Sequence, residues 1–213
     1  LVCGILALLT IVFFHEIILN PTRMVYAPET DLVTHTSYIK YFIKAAISSG
    51  QMPLWNPFIY AGAPFDVNFS HELFYPTTLL FLLFPIDQVF GFNFILHAFL
   101  AGAFMYGFVR VLGLRWLASI TSAIVFMFSG FFVTRVYAGH SPVINVITWI
   151  PLIFMLGELA IRRKSWFYGL LCTIPLAFQF VSGMVQIVLY STMAFVLYFL
   201  FRIYSEHRGK HNW

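Results

Sequence analysis

Long apolar runs alternate with short breaks rich in proline, glycine and charge, and the runs match the thickness of a bilayer. A transmembrane helix needs ~20 mostly apolar residues. Stretches of about this kind are Leu1–Leu19, Gln88–Leu112, Trp116–Thr134, Pro142–Ala160, Trp166–Val181 and Met184–Phe201. The last two form one apolar stretch interrupted by Pro175, Gln179, Ser182 and Gly183. Unbroken, it would be about twice the length one crossing requires, so it reads as a helical hairpin. The runs are too long, and too little alternating, for barrel strands of ~10 residues. Helices satisfy their own backbone groups in lipid. The pattern predicts an all-α, polytopic helical membrane protein with about six transmembrane helices and a long first loop, residues 20–87.

That loop has its own periodicity. Thr30 to Ser49 reads as a helix, with Thr30 or Asp31 near its start and Gly50 placed to stop it. At 100° per residue Asp31, His35, Tyr38 and Phe42 share a narrow sector. Leu32, Ile39, Ile43 and Ala46 form an adjacent apolar stripe, with Lys40 and Lys44 expected on the opposite side. Such a helix lies along a membrane surface. A second segment, "YPTTLLFLLFP" at 75–85, is bounded by prolines and too short to cross, so it reads as interfacial or re-entrant. Between them runs "GQMPLWNPFIYAGAPFDVNF", residues 50–69. Its prolines impose extended and turn geometry, and Gly62 permits a tight bend. Trp55, Tyr60, Phe65, Phe69 and Tyr75 suit a membrane–water boundary.

Composition supports the membrane assignment. Of 213 residues 61% are hydrophobic and 9% charged, whereas a soluble domain carries roughly a quarter charged residues. The net charge of +4 is spread along the chain rather than gathered on one soluble face, so nucleic acid is not expected as a partner. It reports topology instead. Arg110 with Arg115, Arg162–Lys164, and Arg202 with Arg208 and Lys210 all fall on one side of a six-helix count. By the positive-inside rule that side, with the N-terminus, is cytoplasmic, giving a multi-pass plasma-membrane protein. Loop 20–87 is then extracytoplasmic, and it holds Glu29, Asp31, Asp66, Glu72 and Asp87 of the eight acidic residues. The first helix lacks a basic n-region and a small-residue cleavage site, which favours retention over a signal peptide. Cys3 and Cys172 lie in apolar spans with no metal or disulfide spacing.

The segment "DLVTHTSYIKYFIKAAISSGQMPLWNPFIYAGAPFDVNF…FYPTTLLFLLFP" resembles the first outer loop of bacterial YfhO-like membrane proteins of the GT-C glycosyltransferase superfamily. Similarity continues through "LAGAFMYGFVRVLGL", "FMFSGFFVTRVYAGH", "NVITWIPLIFMLGELAIRR" and "VSGMVQIVLYSTMAFVLYFLFR", in order along almost the whole chain. The PLWNP…G.PF…FYP group is the most specific part. The resemblance implies a GT-C-like fold, a polyprenyl-phosphate-linked sugar donor, and a glycan or lipid acceptor. It also implies that Asp31 takes the place of the family's acidic residue in the first outer loop, as general base or cation ligand. Family members are longer, so residues 1–213 are expected to be one transmembrane domain, the N-terminal portion of a longer protein. Many relatives carry N-P-Q where this chain has "NFSHE", which departs from the pattern at His71 and Glu72.

Sugar transfer from a lipid phosphate needs a base for the acceptor, positive charge for the departing phosphate, and a groove for the lipid. Asp31 is the catalytic candidate; its purely structural alternative is a helix N-terminal acid favoured by the macrodipole. Asp31, His71 and Glu72 form an oxygen- and imidazole-rich set that could hold Mg or Mn, if the two segments meet. His35 and Tyr38 on the Asp31 face, Arg135 and His140 in "TRVYAGHSP", and Gln186 are candidate substrate-binding residues. An arginine there is explained by a lipid phosphate or by snorkelling to ordinary headgroups. Gln179 and Gln186 could bind sugar or each other, His97 is expected to bridge helices, and His15 and Glu16 could line the same cavity. Two other function classes fit a polytopic chain: a lipid or sugar transporter or flippase, and a non-catalytic membrane scaffold. The first predicts deep ionisable pairs and symmetry between halves.

Overall fold

The longest helices coincide with the longest apolar runs. The structure, a computed structural model, describes residues 1–20, 30–65 and 71–209, with side chains to residue 206. Glu29, Asp66, Asn68, Phe69, Lys210 and the Arg208 side chain lie outside the described residues. The chain opens with α1 (Val2–Phe13) and α2 (His15–Leu19), then a π-helical turn at Leu32–Thr36 leading into α3 (Ser37–Ser48). A two-stranded ribbon follows, β1 (Trp55–Asn56) antiparallel to β2 (Ala63–Pro64). A 3₁₀ turn at Pro76–Leu79 runs into α4 (Leu80–Leu83). The remaining helices are α5 (Ile86–Val111), α6 (Trp116–Met127), α7 (Gly130–Ala138), α8 (Ser141–Arg162), α9 (Trp166–Leu171), α10 (Thr173–Val181) and α11 (Val185–Gly209).

Among the described residues four helical stretches are long and apolar enough to cross a membrane: Ile86–Val111, Trp116–Ala138, Ser141–Arg162 and Val185–Glu206. The two other expected spans are apolar but broken. The first is interrupted at Phe14, and the fifth is made of α9 and α10. The α6–α7 stretch breaks at Phe128, and Ser129 caps the new helix by accepting the Phe132 N–H at 3.2 Å. Pro85 precedes α5 and Pro142 sits in the first turn of α8, where a missing N–H costs nothing.

Helix α5 is the hub, packed against α1, α6 and α8, and α8 in turn holds α9, α10 and α11. Lipid gives helices little hydrophobic drive to associate, so close approach of small residues matters. A Cβ on Gly102 would stand 2.6 Å from Met127 Sδ, and one on Gly107 would stand 2.8 Å from Met155 Sδ. These glycines therefore admit α6 and α8 to different sides of α5. Phe90, Phe94, Met127, Phe132 and Ile144 fill the core between them. A second, smaller core joins Ile43 of α3 to Phe65 and Leu73. It fixes the proline-rich ribbon against the loop helix, with Phe65 stacked on His71 at 4.4 Å.

The bundle has two chemically distinct ends. The loop end carries residues 30–85 and the α7–α8 junction. At the basic end, Glu158 is fully buried and accepts from Arg162 Nε at 2.6 Å, from Tyr198 OH at 2.9 Å, and from both Arg202 Nε and Nη2 at 2.8 and 2.7 Å. Arg162 also donates to the Leu112 carbonyl at 3.3 Å. One carboxylate therefore ties α8 to α11, and its arginine reaches the end of α5.

Candidate functional site at the loop end

The predicted loop helix exists, and its first turn is where the chemistry gathers. Asp31 lies immediately before the π-helical turn, a wide turn in which Ser37 Oγ donates to the Leu32 carbonyl at 2.5 Å. The segment rests on the α7–α8 junction. Gly139 there takes φ +75°, and any Cβ on it would overlap Leu32. Only glycine lets the loop come this close.

The contact brings Asp31 to His140, 109 positions away. His140 Nε2 and Asp31 Oδ2 are 2.5 Å apart, and Arg135 Nη1 lies 3.0 Å from His140 Nδ1. A guanidinium can only donate, so Nδ1 must accept. The imidazole proton is then on Nε2 and is donated to Asp31. Arg135 also packs over the Phe131 ring, and its Nε is buried with no hydrogen-bond partner among the described residues. The result is an Arg135–His140–Asp31 chain ending in a carboxylate that is 59% exposed. Three of the predicted site residues are thus brought together.

One helical turn further, Thr34, His35, Tyr38, Tyr41, Asn56 and His71 line a groove of about 530 Å³ between α3 and the ribbon. His35 and Tyr38 therefore share a concave surface with His71. Asn56 is positioned by its own turn, Oδ1 accepting the Phe58 N–H at 2.9 Å. Gln186 does not join this site; it donates to Tyr190 OH at 3.0 Å on an exposed part of α11. Gln179 is buried elsewhere, donating to the Val146 carbonyl and accepting from Ser191. His15 turns back to the Val12 carbonyl, and both His15 and Glu16 are exposed.

Lys40 departs most from the expected pattern. Instead of facing away from the apolar stripe it is 1% exposed, on the buried face with Ile43. Its ammonium has three protons and meets three acceptors: Glu72 Oε2 at 2.8 Å, Thr78 Oγ1 at 3.1 Å and the His71 carbonyl at 3.1 Å. Lys44 keeps the expected surface role and donates to the Phe84 carbonyl. Glu72 is equally engaged. Ser141 Oγ donates to Oε2 at 3.0 Å, and Asn145 Nδ2 donates to Oε1 at 2.5 Å. Its backbone takes φ +56°, an uncommon conformation for a non-glycine residue that turns this side chain inward.

The polar cluster continues inward without a gap. Asn93 Nδ2 donates to Asn145 Oδ1, and Thr77 Oγ1 donates to Asn93 Oδ1. His97 Nδ1 donates to the Asn93 carbonyl, so its Nε2 accepts the Tyr75 hydroxyl at 2.7 Å. Trp149 Nε1 donates to the same Tyr75 oxygen at 2.9 Å. His97 thus joins α5 to the loop segment at Tyr75, rather than bridging two helices as the sequence suggests. Tyr75 is 1% exposed and lies inside the protein rather than at a boundary. Burial pushes its hydroxyl well above the usual tyrosine range, partly offset by the Trp149 hydrogen bond, with the Glu72 charge adding to the rise.

The divalent cation implied by the family resemblance does not fit these donors. Both Glu72 oxygens are already taken, and the Lys40 ammonium stands where a cation beside that carboxylate would bind. Asp31 is engaged with His140 instead. Among the described residues no group of three His, Cys, Asp or Glu side chains could hold a metal ion. Glu158 is not among the residues that the pattern of the loop end singles out, but an acid inside an apolar run, with arginine four residues later, is a signal for it.

No family model, curated protein or solved structure matches this chain.

Proposed function

We propose that the chain is the membrane portion of a YfhO-like, GT-C-type glycosyltransferase, moving a sugar from a polyprenyl-phosphate donor to a glycan or lipid acceptor at the loop end. The observation that supports this reading best is the Arg135–His140–Asp31 chain beside the groove of His35 and Tyr38. It supplies an oriented carboxylate and a fixed positive charge within one hydrogen-bonded unit.

In this reading Asp31 removes the acceptor hydroxyl proton as the new bond to the sugar's anomeric carbon forms. The bond from that carbon to the lipid phosphate breaks, and the electron pair leaves with the phosphate. Arg135 offsets the charge that develops there. His140 is a positioning residue, holding the Asp31 carboxylate by one hydrogen bond. No step is routed through a divalent cation.

The test uses the full-length protein reconstituted with a polyprenyl-phosphate sugar and a lipid acceptor. A positioned general base contributes ~10²–10⁴-fold, so Asp31→Asn should lower turnover by at least about 100-fold with thermal stability unchanged. Transfer by the variant at the wild-type rate would remove Asp31 from the reaction. Absence of transfer by both proteins would favour the scaffold reading.

A further inference from the structure

At the basic end, far from the site above, a groove of about 580 Å³ opens between the end of α8, the start of α9 and the last turns of α11. Its floor is apolar, with Gly169, Leu170, Phe199 and Ile203 along it. Lys164, Ser165 and Trp166 stand at its mouth. Trp166 is 77% exposed, on a surface suited to the headgroup level of a bilayer. A lipid-facing helix pair needs no such concavity, and the lining has the two-part character of a lipid: hydrocarbon below, cation and hydroxyl above.

Charge decides which lipid. Arg110, Arg115, Arg162, Arg163, Lys164 and Arg202 gather at this end, opposed among the described residues by Glu158 and Glu206. Glu158 is consumed by Arg162 and Arg202, and Arg163 lies over the Tyr168 ring and donates to its hydroxyl. Among the described residues Lys164 is exposed at the groove without a hydrogen bond or ion pair from its side chain, and Glu206 is the single carboxylate in the lining. The surroundings hold a clear excess of positive charge.

We propose that this groove binds one anionic glycerophospholipid, its phosphate at Lys164 and Ser165 and an acyl chain along Gly169, Phe199 and Ile203. The site is independent of the glycosyltransferase reading and of the loop end.

The experiment titrates the delipidated full-length protein in detergent with phosphatidylglycerol, phosphatidylethanolamine or phosphatidylcholine carrying brominated acyl chains, which quench tryptophan on contact. A basic side chain near an anionic headgroup is worth about five-fold, so phosphatidylglycerol should quench at about five-fold lower concentration than the other two. Trp166→Phe should remove most of that quenching. Lys164→Asn should abolish the preference; Lys164 has φ +48°, a conformation asparagine tolerates, so the fold is kept. Gly169→Phe should block binding of all three, and nothing stands within 4 Å of a Cβ built there. Glycerol 1-phosphate should not compete. Equal quenching by all three lipids, unchanged quenching in Gly169→Phe or Trp166→Phe, or displacement by glycerol 1-phosphate would each overturn the proposal.

Discussion

Lys40 and Glu72 form an ion pair at 2.8 Å with side chains 1% and 3% exposed, joining the loop helix to the segment that returns toward the bundle. Burying two charges is expensive unless each is fully hydrogen-bonded. Here the ammonium has three acceptors and the carboxylate three donors, so the pair and its neighbours act as a clamp that seats the loop on α8.

Removing one partner should therefore be worse than removing both. Lys40→Met or Glu72→Met is expected to cost about 3–5 kcal/mol, because the remaining group stays buried without its counterpart. The double variant Lys40→Met/Glu72→Met should lose less than the sum of the two. Thermal unfolding in detergent, followed by near-ultraviolet circular dichroism, measures this. Simple additivity would show that the two residues do not act as a pair.

Gly139 should tolerate no side chain. Gly139→Ala is expected to cost on the order of 1–3 kcal/mol from its left-handed backbone alone, before the overlap with Leu32 is counted. The same change should push the Asp31 turn away from His140. Crosslinking between cysteines placed at 33 and 137 would report the separation; crosslinking as fast as in the Gly139 parent would contradict the close approach.

The Tyr75 hydroxyl links alkaline pH to stability. Its folded-state pKa is raised, so the unfolded chain gives up this proton first as pH rises. Stability from this group is fully present below about pH 10, the ordinary tyrosine value, and declines above it. Tyr75→Phe should flatten that decline while lowering stability at neutral pH by about 1–3 kcal/mol, since Trp149 and His97 lose their shared partner. Identical alkaline unfolding of the two proteins would sink the assignment.

Glu158→Gln should loosen the basic end. Two guanidiniums would face a neutral amide, and a loss of about 3 kcal/mol is expected for breaking a buried, hydrogen-bonded charge pair. Hydrogen exchange should rise at the end of α11 and leave the loop end unchanged. Equal protection along α11 would argue against the tie between α8 and α11.

The helices were readable because membrane solvent imposes a strong local rule. Any segment between Ile86 and Glu206 that crosses a bilayer must be apolar and close its own backbone bonds, and the runs of letters show it. The loop helix was readable for a similar reason, from its period and its stop at Gly50, which takes φ +76°. Its facing was not. Lys40 looked like a surface lysine because periodicity places a residue on a side of a helix and cannot say which side is covered. The answer lay in Glu72, 32 positions later, whose own backbone had to turn left-handed to reach it.

By itself, then, the sequence determined a mostly helical chain with helices of membrane-spanning length, a short helix before the proline-rich segment, and a short set of polar residues with chemistry to offer. Tertiary structure decided how they combine: Asp31 with His140 and Arg135, Glu72 with Lys40 in place of a shared metal set with Asp31, and Gln186 outside the site. The physical reason is range. Helix formation and membrane partition depend on neighbours within a few turns, whereas hydrogen bonds between residues 109 positions apart exist only once the helices between them have packed.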